Sequence, residues 1–65
     1  MNKMTQKMLD NCLFEHCGNL YEHTGINGAG DKLIFSNINN GDSLFVNIDK
    51  VDNYFDNIID KNFYL

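Results

Sequence analysis

Four residues with ligand or nucleophile chemistry crowd into residues 12–23 of this 65-residue chain: Cys12, His16, Cys17 and His23. All are zinc-ligand types. Their spacing, C-x3-H-C-x5-H, departs from the usual arrangement, in which two ligand pairs, each spaced by roughly two to five residues, are separated by a longer stretch. On a helix Cys12 and His16 stand at i and i+4 and share a face, whereas His16 and Cys17 point about 100° apart. The sequence therefore reads as two small buried thiols beside packed imidazoles, with no metal and no cofactor assigned. The same divergence at i and i+5 argues against a Cys12–Cys17 disulfide.

The stretch also repeats itself. Leu13-Phe14-Glu15-His16-Cys17-Gly18 is followed by Leu20-Tyr21-Glu22-His23-Thr24-Gly25. Two Glu-His pairs would suit acid–base chemistry, or a Cys–His pair nucleophilic chemistry. Adjacent residues, however, point to opposite faces of a strand and diverge on a helix, so neither Glu15-His16 nor Glu22-His23 is a ready dyad. So short a chain has little means of building a deep pocket alone, and no enzyme is expected. As a hairpin turning about Gly18-Asn19, the repeat would set Glu15 opposite Glu22, a repulsive pair. The preferred reading is a helix end followed by a strand. His16, Tyr21 and His23, with the Gly25–Gly30 loop, then line the site of an alternative function, an oligomeric binder of a small ligand or metal.

Phosphate and calcium loops fail on position. In "GINGAGDK" no Lys-Ser/Thr follows a glycine, and Leu33 stands where G-x-G-x-x-G needs its third glycine. In "SNINNGDS" Ile38 occupies a ligand position and no glutamate closes the loop.

Charge carries more direction. The net charge is −4 and the sequence pI about 4.7, with five lysines and no arginine. Direct nucleic-acid binding needs a cationic surface to displace counterions, so the balance points instead to a basic protein partner. Asp49, Asp52, Asp56 and Asp60 would line about three turns of a helix, and Asp42 would extend the row. Such a row is either a solvated face or an imitation of nucleic-acid phosphates that fits a basic groove. Phe63, Tyr64 and Leu65 either close the core edge or anchor a partner. The function expected is a small acidic protein-binding module: an inhibitor or accessory protein, of phage or mobile-element type, that blocks a basic nucleic-acid-binding surface of its partner. A homo-oligomer is compatible with this.

The elements that must position these residues follow from periodicity. Met4, Met8, Leu9, Cys12, Leu13 and Cys17 recur with helical spacing, so a helix is expected over 4–17, ended by Gly18. Residues 19–26 read as a strand. A hairpin spans 32–48, with "NNGD" at 39–42 signalling a type I′ turn. A second helix covers 49–61, capped by Asp49, with Val51, Tyr54, Phe55, Ile58 and Ile59 opposite the aspartates. The fold class is α+β: one domain, 1–65, arranged α-β-β-β-α with both helices on a three-stranded antiparallel sheet. "MNKMTQKMLDNCLF" lacks the apolar core of a signal peptide, no run is long enough to span a membrane, and two thiols are too few for a disulfide framework. The expectation is a complete cytoplasmic product with reduced thiols.

Overall fold

The computed structural model describes residues 4–64, with Tyr64 described in its main chain alone; the Tyr64 side chain and Leu65 lie outside the described residues. The chain is mostly strand. Its elements are α1 (Gln6–Asn11), β1 (Cys12–His16), β2 (Asn19–Ile26), β3 (Lys32–Asn37), β4 (Ser43–Asn47), a 3-10 turn (Ile48–Lys50), α2 (Val51–Tyr54), β5 (Asn57–Asp60) and α3 (Lys61–Tyr64). The strands form one five-stranded antiparallel sheet in the order β4-β3-β2-β1-β5. This overturns the α-β-β-β-α expectation: both long helices are replaced by shorter ones, and each gives way to a strand.

The first helix is real but brief. Thr5 caps it, its hydroxyl accepting from the Met8 N–H at 3.2 Å. At Cys12 the backbone turns extended (φ −122°, ψ 156°). The helical spacing of Leu9, Leu13 and Cys17 left Phe14 on the wrong side. A strand buries Leu13 and Phe14 together, one on each face of the sheet (4% and 0% exposed). In the second predicted helix, Phe55 is extended (φ −88°, ψ 147°) and ends α2. The branched pair Ile58-Ile59 then enters β5, where residues of that shape suit a pleated ladder, and pairs with Phe14 and Leu13 of β1.

The strand at 19–26 and the hairpin at 32–48 form as the sequence implies. The tight turn does not fall where Asn-Gly suggested. Loop 38–42 is longer: buried Asn37 accepts at Oδ1 from the N–H groups of Asn39 (2.8 Å) and Asn40 (3.2 Å), and Gly41 (φ 79°) closes the loop by donating to the Asn37 carbonyl at 2.8 Å. Asn27 holds the β2–β3 loop similarly, its Oδ1 accepting from the N–H groups of Asp31 (3.1 Å) and Lys32 (3.0 Å). In both places the asparagine amide satisfies main-chain groups that have no ladder partner.

One face of the sheet holds the core: Leu9 of α1, Phe14, Phe35 and Val46 of the sheet, and Val51 and Phe55. Phe14, Phe35 and Phe55 form an aromatic trio with centroids 4.8–5.2 Å apart. Two of its contacts are edge-to-face, the geometry that the ring quadrupoles favour. No helix among the described residues is long and apolar enough to cross a membrane.

Candidate functional site

The repeated stretch is a hairpin after all. Its turn is Cys17-Gly18, both at positive φ (51° and 81°), as a two-residue type I′ turn demands. The turn lies one residue earlier than Gly18-Asn19, which shifts the pairing by two residues. Glu15 faces Leu20 and Glu22 faces Leu13, so the two carboxylates are never opposed. Cys17 occupies a left-handed position that is costly for a residue with a Cβ. Its N–H donates to Asp56 Oδ2 at 3.0 Å, and the Asp56 N–H donates to the Glu15 carbonyl at 2.8 Å.

The turn also joins two groups that helical geometry would have kept apart. Cys17 Sγ lies 3.5 Å from His16 Nε2, and the His16 ring stacks on Tyr54 (centroids 4.5 Å, interplanar 30°). A thiol and an imidazole at this distance can share a proton. They sit on a protruding turn, while a cavity of about 240 Å³ opens elsewhere, lined by residues such as Met4, Leu9, Leu33 and Asp52.

His16, Tyr21 and His23 all lie on the covered face of the sheet. Tyr21 faces Phe14 across the ladder, and His23 packs edge-on against Phe35 at 5.5 Å. Tyr21 therefore lies between the histidines in the ladder, and the imidazoles are not brought together. His16 Nδ1 and His23 Nε2 are buried without a hydrogen-bond partner. Among the described residues no three His, Cys, Asp or Glu side chains group as a metal site. Cys12 and Cys17 are free thiols at opposite ends of β1, roughly 16 Å apart at the rise of a strand. Burial first, then the Asp60 carboxylate, pushes the Cys12 thiol up from its ordinary value, while Lys61 pulls it down.

The aspartate row dissolves with its helix. Asp49 is exposed on the 3-10 turn. Asp52 Oδ1 accepts from the Met4 N–H at 2.6 Å beside the cavity. Asp56 clamps the Cys17 turn, and Asp60, at the far end of β5 opposite Cys12, accepts from the Asn62 N–H at 2.8 Å. Three of the four carboxylates thus satisfy main-chain donors in three different places. Phe63 is 89% exposed on α3; it does not close the core.

A different charge pattern emerges. Because the strands alternate in direction, the β1–β2 turn, loop 38–42 and the start of β5 share one end of the sheet. The segments that build this end, residues 15–20, 36–43 and 55–58, carry Glu15, Asp42 and Asp56 and no lysine. Lys32 and Lys61 stand at the other end, where Lys61 Nζ donates to the Asp10 carbonyl at 3.3 Å. The overlooked signal was the alternation in "NLYEHTGI". It puts Tyr21 and His23 on the covered face and Leu20 and Glu22 on the other.

Comparison with protein-family models, with curated proteins and with solved structures gives no match.

Proposed function

We propose that this protein is a non-enzymatic, acidic binding module that docks on a basic nucleic-acid-binding surface of a partner protein and blocks it, acting as an inhibitor or accessory protein of the kind mobile elements and phages carry. One observation supports the reading above the rest: one end of the sheet carries carboxylates and no lysine. Glu15, Asp42 and Asp56 share a lysine-free end of the sheet, whereas at the opposite end Lys32 and Lys61 lie among Asp10, Asp31 and Asp60. A one-signed surface steers an oppositely charged partner and suppresses nucleic acid itself as a ligand. The docking surface is no longer the 49–60 row, since Asp52, Asp56 and Asp60 each hold a main-chain N–H.

Affinity capture followed by identification of the bound protein tests the reading. A nucleic-acid-binding partner that is retained at low salt, released at high salt and lost with Glu15→Lys/Asp42→Lys supports it. Capture that is indifferent to salt and to both substitutions contradicts it.

A further inference from the structure

We infer that the outer edge of β4 is an interaction surface and that its occupant is a second copy of this chain, paired antiparallel about a two-fold axis at Phe45; the inference goes beyond the reading above and does not rest on it. β4 is an end strand in the order β4-β3-β2-β1-β5, so one of its edges has no neighbour in the sheet. The ladder shows which main-chain groups lie there. The Asn37 N–H donates to the Asp42 carbonyl at 2.8 Å, and the Ile48 N–H donates to the Asp31 carbonyl at 3.0 Å. In an antiparallel pair such bonded positions recur at every second residue, so Leu44 and Val46 also bond to β3. Ser43, Phe45 and Asn47 alternate with them and turn their N–H and C=O groups outward. All three residues are exposed.

An edge of this kind is ordinarily blunted by a charge, a proline, a bulge or extreme shortness. β4 uses none of these devices: Ser43–Asn47 reads SLFVN, and its register with β3 runs unbroken. The other end strand is guarded. β5 is four residues long, ends in Asp60 and is followed at once by Lys61. The two-residue hairpin bonds His16 to Asn19 and Phe14 to Tyr21, so Leu13 and Glu15 bond to β5 and leave Ile58 and Asp60 facing outward.

The symmetry of the free groups selects the occupant. With Phe45 on a two-fold axis, Ser43 stands opposite the partner's Asn47 and Phe45 opposite the partner's Phe45. The three outward N–H groups of each copy then meet the three outward carbonyls of the other, and none is left over. The Phe45 side chains, each 53% exposed, form a directly opposed aromatic pair on the face away from the core. On the core face Leu44 comes opposite the partner's Val46. The paired segment holds no charged residue in either copy, and Asp42 falls opposite the partner's Ile48, so no carboxylates are opposed. The shared strand is short, which makes the dimer weak, with a dissociation constant on the order of 10–100 µM. Pairing in this sense joins two sheets into one and points the two lysine-free ends in opposite directions.

The test is sedimentation equilibrium, with amide chemical shifts, on a dilution series of the full chain. A reversible monomer–dimer equilibrium is expected, in which amides of residues 43, 45 and 47 shift with concentration and those of residues 58 and 60 do not. Salt should tighten the dimer, because each copy carries a net charge of −4 and screening relieves their repulsion. Phe45→Lys should raise the dissociation constant about tenfold or more. Ser43→Pro, which removes an outward N–H that the chain's own sheet does not use, should do the same. Both variants should keep the thermal transition of the parent. Phe63→Ser, at an aromatic that is 89% exposed on α3, should leave the dimer unchanged.

A monomer at every concentration up to the millimolar range would overturn the inference. Masses that grow beyond the dimer, with shifts at residues 58 and 60, would mean that β4 pairs head to tail with β5 and would overturn the two-fold axis. A dimer lost with Phe63→Ser and indifferent to Phe45→Lys and Ser43→Pro would place the contact elsewhere. A chain that stays monomeric and shifts its β4 amides only when a captured partner is added would make the occupant a strand of that partner and overturn the second copy.

Discussion

The Asp56 carboxylate accepts the main-chain N–H of Cys17 at 3.0 Å, tying the tip of the first hairpin to the strand that arrives 39 residues later. The Asp56 N–H adds a second link to the Glu15 carbonyl. This one residue, between the Phe55 cap of α2 and the start of β5 at Asn57, therefore holds the turn in which Cys17 adopts its left-handed conformation. Asp56→Ala should cost about 1 kcal/mol, less than the roughly 1.5–3 kcal/mol of a hydrogen bond to a charged group because the site is exposed. In a domain this small the loss lowers the melting temperature by about 4–8 °C, read by circular dichroism. Asp56→Asn keeps an acceptor and should recover part of it.

The turn makes its own prediction. Asparagine is better suited than cysteine to the first left-handed position of a type I′ turn. Cys17→Asn should raise stability by about 0.5–1 kcal/mol and Cys17→Val should lower it by at least as much, measured by urea denaturation. If Cys17→Asn instead destabilises, the His16–Cys17 contact at 3.5 Å contributes more than the strain removes.

Which parts of this fold could be read from the sequence depends on what each segment needed for its shape. The 19–26 strand and the 32–48 hairpin are legible because alternation and turn residues act locally. Residues 12–16 and 55–60 are not, since their helical spacing is real: Leu9, Leu13 and Cys17 do recur with that period. The extended form wins only once β1 has β2 on one edge and β5 on the other, a long-range term that no local window contains. The aspartate row inherited this error. Without the 49–61 helix its regular spacing has no geometric meaning, and its members fall to separate capping tasks. Glu15 and Glu22 were visible only as halves of Glu-His pairs. Their true relationship, both on the face opposite the Phe14 core, needed the register set by Cys17-Gly18.

The core is concentrated enough to be tested at one residue. Phe35 is fully buried and touches Phe14, Phe55 and His23. Phe35→Ala should cost about 3–5 kcal/mol, most of the stability such a chain can hold. The variant should show a collapsed or absent thermal transition. A cooperative transition within a few degrees of the parent would mean that the trio is not the centre of the core.

Cys12 supplies a pH dependence. Burial and Asp60 raise its pKa above the ordinary 9.0. The folded state thus keeps a proton over a range in which the unfolded chain has released it. The contribution is complete below pH 9 and disappears as pH rises through the folded-state value. Stability should fall above about pH 9 more steeply in the parent than in Cys12→Ala. A thiol reagent should modify exposed Cys17 well before half-buried Cys12, and equal rates would contradict the placement of Cys12.

The central claim is that this protein occupies a partner's nucleic-acid-binding surface. It is tested most directly by displacement: the captured partner is loaded with a fluorescent nucleic acid and titrated with this protein while anisotropy is followed. The account predicts that anisotropy returns to the value of the free nucleic acid, and that Glu15→Lys/Glu22→Lys shifts the titration to concentrations about tenfold or more higher. A further rise in anisotropy, signalling a ternary complex with the nucleic acid still bound, would contradict it.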